Sequence, residues 1–109
     1  MSLSVYLSQV ETREVNVFDA TITHNFNKMA EAVCLYQVLW KPEELGLTKA
    51  FQLVKPLMAG LFLLTSDKDR IEKLNAENGW GTYENFVTFV EKYLLACIKN
   101  PNATIRISR

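Results

Sequence analysis

Two short runs in which apolar and polar residues alternate lie at opposite ends of the chain, and they constrain the fold more than anything between them. Leu3, Val5 and Leu7 alternate with Ser4, Tyr6 and Ser8, while Ile105 and Ile107 alternate with Thr104, Arg106 and Ser108. Period two is the signature of a half-buried strand. An isolated strand does not hold in water, so the closing strand must join strands near the start. Residues 15–23 are rich in β-branched side chains and read as a second strand after a polar turn over 9–14. Their phase slips: Val15 and Val17 share one face, and Phe18, Ala20 and Ile22 the other. A one-residue bulge near Phe18 puts both sets on the core side. The first two strands then form an antiparallel hairpin.

Between the terminal strands the period changes to that of a helix. Phe26, Met29, Ala30, Val33, Tyr36 and Trp40 follow helical spacing up to Pro42, with Gln37 at the wet edge of the stripe and Asn25 placed to cap the start. Lys41 to Gly46 is a loop, or one turn opened by Pro42-Glu43-Glu44. A second helical region runs over residues 48–64, where Pro56 predicts a kink or a restart. Ser66-Asp67-Lys68-Asp69 resembles a capping box before a short helix. Thr82 caps the last helix, whose buried stripe is Tyr83, Phe86, Val87, Val90, Tyr93, Leu94 and Cys97. The expected order is β-β-α-α-α-β. The fold class is α+β: a small three-stranded sheet with three or four helices packed on one face, in a single domain spanning residues 1–109.

Composition narrows the function classes. Apolar residues make up 49% of 109, enough for a core without disulfides. Twelve basic and twelve acidic residues cancel, so no excess charge attracts a nucleic-acid backbone or an anionic membrane. The longest apolar run, residues 57–64, is too short to span a bilayer, and the first residues show no secretory signal. The chain reads as cytoplasmic, with Cys34 and Cys97 as free thiols in buried helical stretches. One histidine and two distant cysteines give no metal-ligand spacing, and no cofactor is implied.

Two polar clusters could carry chemistry. Asn78-Gly79-Trp80-Gly81-Thr82-Tyr83-Glu84 leads into a helix N-terminus, where free N–H groups can hold an anion. The blander reading is a turn whose glycines take positive φ and whose tryptophan plugs the core. Thr23-His24-Asn25 joins a strand to a helix, and His24 has the intrinsic acidity of a general base near neutral pH. The blander reading is a boundary histidine. Cys34 as its nucleophile is opposed by an apolar setting without a cation. The candidate binding set is therefore His24, Asn25, Trp80, Tyr83 and Glu84. A third candidate is the open sheet face, with Tyr6, Arg106, Ser4, Ser8 and Thr104, although one aromatic and no basic surplus make nucleic acid an unlikely ligand.

Three stretches, Thr23-His24-Asn25 with Lys28-Met29, Leu39-Trp40-Lys41-Pro42-Glu43-Glu44, and Asn78 to Glu84, resemble a family of small uncharacterised bacterial and phage-type proteins; the similarity runs over nearly the whole chain to Ile105-Arg106-Ile107-Ser108-Arg109. The resemblance implies kinship of fold and a mobile-element origin, and assigns no catalytic role. The leading function is a non-enzymatic interaction module that self-associates. Leu61, Phe62, Leu63 and Leu64 are consecutive and apolar, so they point all around a helix and leave an outward face for a second copy, as a homodimer. The alternatives are a small enzyme or ligand binder with a pocket between the His24–Asn25 and Trp80–Glu84 segments, and a single-stranded nucleic-acid binder.

Trp80 separates a plug from a platform. As a plug, Trp80→Ala is expected to cost about 3–5 kcal/mol, read as a sharp drop in the thermal midpoint. A midpoint that barely moves would instead mark an exposed binding surface.

Overall fold

The computed structural model describes residues 2–10, 14–74 and 82–109. Three strands form one antiparallel sheet: β1 (Ser2–Val10), β2 (Glu14–Thr23) and β3 (Thr104–Ser108), in the order β2-β1-β3. β1 is central, with Val5 opposite Ala20 on one side and Ile107 on the other, and Leu7 opposite Phe18 and Ile105. Directly opposed residues share a face, so these side chains converge on the core, where Leu3, Val5 and Leu7 are fully buried. The α+β architecture and the pairing of both chain ends are as the alternation implied.

The bulge is present. Leu7 pairs with Phe18 but Ser8 pairs with Asn16, which leaves Val17 as the extra residue on β2. Val17 and Phe18 consequently both pack against the core, and Phe18 stacks on Tyr93 with ring centroids 5.7 Å apart. Ser8, expected on the open face, is instead buried where the ladder shifts register. The outer edge of β3 is covered by the chain itself. Lys49 bridges Thr104, the Ile105 N–H donates to the Thr48 carbonyl at 2.9 Å, and the Ala50 N–H donates to the Ala103 carbonyl at 2.9 Å.

Five α-helices occur among the described residues: α1 (Asn27–Ala32), α2 (Tyr36–Trp40), α3 (Val54–Ser66), α4 (Lys68–Glu72) and α5 (Tyr83–Lys99). The stretch expected as one helix from Phe26 to Trp40 is divided. At the break Cys34 adopts φ 61°, the Leu35 N–H reaches back to the Ala30 carbonyl at 2.7 Å, and the Cys34 N–H reaches Glu31 at 3.2 Å. This pair of bonds is a Schellman motif with the left-handed position filled by cysteine. Cys34 is therefore exposed, not buried in a helix as expected, while Cys97 is buried. The break turns Leu35 inward, where it is buried against Gly60 of α3; a Cβ on Gly60 would lie 2.4 Å from the Leu35 Cγ.

Capping also differs from expectation at two places. Thr23, not Asn25, opens the first turn: its Oγ1 accepts the Asn25 N–H at 3.3 Å. The capping box at Ser66–Asp69 does not form, because Ser66 still belongs to α3 and the Asp67 carboxylate pairs with Arg70. Pro56 falls at the third position of α3, after a 3-10 turn over Ala50–Leu53, so its missing N–H removes no intrahelical bond. The expected disruption is thus a restart. Thr82 caps α5 as read from the sequence, accepting the Asn85 N–H at 3.4 Å.

Two hydrogen bonds fix α5 antiparallel to α3. The Tyr83 hydroxyl donates to the Leu64 carbonyl at 2.9 Å at one end, and the Phe51 N–H donates to the Pro101 carbonyl at 2.9 Å at the other. α5 buries Tyr83, Phe86, Phe89, Val90, Tyr93, Ala96 and Cys97. Val87 and Leu94, expected within the stripe, are only half-buried along its margin.

An L-residue in the left-handed region costs about 1–2 kcal/mol that glycine avoids, against glycine's extra unfolded-chain entropy of about 0.5–1 kcal/mol. Cys34→Gly is expected to stabilise the fold by about 0.5–1 kcal/mol in urea titration. A loss of stability would mean that the Cys34 side chain makes a contribution larger than the relief of its backbone.

Candidate interaction surface

The strand-to-helix turn and the start of α5 do come together, through Phe26 stacked on Phe86 at 5.2 Å. His24 is half-buried with its ring edge-on to Trp40 at 5.9 Å, and its Nε2 is buried without a hydrogen-bond partner among the described residues. Asn25 is half-buried, and Glu84 is exposed. Tyr83 is buried, its hydroxyl held by the Leu64 carbonyl, with the Lys68 Nζ 5.7 Å from its ring centroid. Burial pushes the pKa of that phenol above its ordinary value. Trp80 lies outside the described residues.

Among the hollows on the surface of the described residues are three whose walls do not include His24, Asn25, Tyr83 or Glu84. One, of about 460 Å³, lies between β2 and α5 beside both predicted segments, with Thr23, Phe26, Asn85 and Phe89 in its wall and Lys92 as its one charge. A second, of about 390 Å³, holds Cys34 with Lys41, Glu31 and Glu44. Cys34 is thus near a cation, contrary to its expected apolar setting, but His24 is not part of this hollow. The third, about 230 Å³, lies under the Arg109 side chain, which donates to the Trp40 carbonyl and to the Glu43 carboxylate at 2.8 Å. The Arg109 hydrogen bond holds Glu43 below the usual carboxylate range.

The buried titratable groups are poor reagents. Desolvation pushes the Cys97 thiol up to about 12 and raises the Tyr93 phenol well above its ordinary value. Such a thiol stays protonated at neutral pH and is not a nucleophile. Among the described residues no three His, Cys, Asp or Glu side chains gather to hold a metal ion, and no helix is long and apolar enough to cross a membrane. On the open sheet face Tyr6 stands between Asp19 and Arg106, and the Ser4 and Thr21 hydroxyls are 2.8 Å apart. An acidic group beside the aromatic works against a phosphate backbone.

The marked surface feature is apolar. On the α3 side Phe51, Met58 and Phe62 are 54%, 53% and 68% exposed; on α5 Leu95 and Ile98 are 55% and 52% exposed. Leu61 and Leu64, named in the sequence as interface residues, turn inward: Leu64 is buried and Leu61 half-buried. Phe62 and Leu63 are exposed, and at about 100° per residue Leu63 points to the flank away from Phe62. Val54 and Leu61 on α3, and Val87 and Leu94 on α5, are half-buried margins packed against the core. By helical spacing Met58 and Phe62 follow the first margin, and Ile98 and Leu95 the second, so the exposed apolar residues form one row on each of the two helices. Leu95 and Ile98 escaped the sequence reading because they fall off the α5 stripe. Apolar residues outside a stripe that is already complete were the available signal.

No family model matches the chain, and neither a curated protein nor a solved structure gives a significant match.

Replacing Tyr83 by Phe leaves the Leu64 carbonyl without this donor in a buried setting. Tyr83→Phe is expected to cost about 1–3 kcal/mol in chemical denaturation, the range for an orphaned buried group. An unchanged midpoint would return Tyr83 to the list of groups free to bind a ligand.

Proposed function

We propose that this chain is a small non-enzymatic interaction module of phage or mobile-element type, acting in the cytoplasm as a homodimer that associates through the outer face of α3 and α5. The observation that carries the reading is the concentration of five large apolar side chains, each more than half exposed, on α3, the turn that opens it, and α5. Scattered exposed leucines are ordinary, but a contiguous apolar patch of several hundred Å² on a small protein marks an association surface. The five side chains expose roughly 500 Å² per copy, so two facing patches remove roughly 1,000 Å², the floor for a specific interface. A non-enzymatic role is supported by the inert buried thiol and phenol and by the commitment of Tyr83 to a structural bond. The unpaired thiols fit a reducing compartment. The mobile-element assignment rests on the three sequence motifs alone.

Sedimentation velocity at micromolar concentration tests the reading. The parent is expected to sediment as a dimer. Phe62→Asp, at the most exposed position, is expected to weaken association at least tenfold while circular dichroism stays unchanged, since a desolvated unpaired charge opposes burial. A monomeric parent, with Phe62→Asp no different in solubility, removes the proposal.

A further inference from the structure

Two charges interrupt the apolar face, and they are of opposite sign. On the α3 side the exposed row reads Phe51, Lys55, Met58, Phe62; on α5 it reads Glu91, Leu95, Ile98. Neither Lys55 nor Glu91 has an ion-pair partner among the described residues. Association that covers the apolar rows must therefore desolvate both charges, which is tolerable only if the second copy supplies the opposite charge.

The heights of these groups along the helices limit how that can happen. The Tyr83 hydroxyl reaches the Leu64 carbonyl at one end and the Phe51 N–H reaches the Pro101 carbonyl at the other, which gives two approximate markers of matching height. Interpolating between these two markers puts Lys55 level with Leu95, and Glu91 level with Met58. The Lys55 and Glu91 levels differ by about three α3 residues, roughly 4–5 Å along the axis at 1.5 Å per residue. Two long side chains span that offset easily.

Resting on the homodimer reading above, we propose that the two copies meet about a two-fold axis parallel to α3 and α5, so that α3 of each copy lies on α5 of the other. Heights are kept by this operation. Lys55 then reaches Glu91 of the second copy, and by symmetry the same pair forms twice. Leu95 and Ile98 of the second copy fall between Phe51 and Met58, so the apolar rows interlock. A two-fold axis perpendicular to the helices would instead lay α3 on α3 and α5 on α5. Centred on the patch, it would bring Lys55 near Lys55 and Glu91 near Glu91, and like charges across an interface oppose association. Lys99, one turn beyond Leu95, stands at the outer margin, where water screens it.

Charge reversal distinguishes the arrangements. Sedimentation equilibrium would compare the parent with Lys55→Glu, Glu91→Lys and the double variant, with circular dichroism confirming that each is folded. Each single reversal is expected to weaken the dimer about tenfold, and the double reversal to return it to within about threefold of the parent. A dimeric parent whose single reversals change nothing, or whose double variant is as weak as the singles combined, overturns the α3-on-α5 arrangement and leaves the homodimer standing. A monomeric parent overturns the homodimer reading itself.

Discussion

The pairing of β1 on both of its edges is the constraint on which the rest of the structure depends. Its partners come from opposite ends of the chain, β2 directly after it and β3 at the far end. Everything from residue 24 to residue 103 is thus a single excursion that must leave one edge of the sheet and return to the other side of the same strand. Leu3, Val5 and Leu7 fix which face the excursion covers, because their burial is matched across both ladders by Ile22, Ala20 and Phe18 and by Ile107 and Ile105. The opposite face carries Ser4, Tyr6, Asp19, Thr21 and Arg106, and can remain in water as antiparallel sheets commonly do.

Within the excursion, turns set the path more than helices do. The reversal at Cys34 swings the chain from α1 into α2 and drives Leu35 into the notch at Gly60, where a larger residue would collide. The segment at Thr48 to Phe51 hydrogen-bonds along residues 101–105, so the entrance to α3 is anchored to the exit from α5. Gln52 reinforces that anchor, its Oε1 accepting the Thr48 N–H at 2.8 Å and the Lys49 N–H at 2.9 Å. At the opposite end the Tyr83 hydroxyl ties α5 to the end of α3. The two longest helices are thus clamped at both ends, which makes their shared outer face a rigid surface.

Features with a strict period were legible in the sequence. Period two placed all three strands, and a slip in that period located a bulge near Phe18, next to the extra residue Val17, because a bulge leaves a phase error that side-chain chemistry records. The Thr82 cap was legible for a similar reason, as its hydroxyl opens an apolar helical stripe. The break at Cys34 was hidden, since the left-handed position is normally marked by glycine and the apolar spacing continues across it. Asn25 was read as the cap and Thr23 takes that role instead, because only the backbone path decides which of two neighbouring polar side chains reaches the open N–H. The candidate site was legible in part: Tyr83 was singled out, but whether its hydroxyl meets a ligand or a carbonyl depends on α3, some twenty residues away in sequence. Phe62 is exposed and Leu64 buried, a difference that the sequence did not carry because four consecutive apolar residues have no phase.

The apolar face of α3 and α5 follows from the width of the sheet. Three strands about 4.8 Å apart make a surface roughly 10–15 Å wide, while a packed helix occupies about 8–10 Å. Such a sheet seats one helix fully, and α5 takes that seat, with Tyr93 stacked on Phe18 of β2. α3 must then pack on the flank of α5 and on the α1–α2 turn through Gly60 and Leu35, which covers only one of its sides. A helix in this position would ordinarily be polar along its far side. Here that side carries Met58 and Phe62, and the neighbouring margin of α5 carries Leu95 and Ile98. The exposure is therefore concentrated where the sheet is too narrow to reach, and no rearrangement within a three-stranded fold would cover it. Under the proposed homodimer the added layer is the same face of a second copy, which sets the lysine and the glutamate of one face against those of the other.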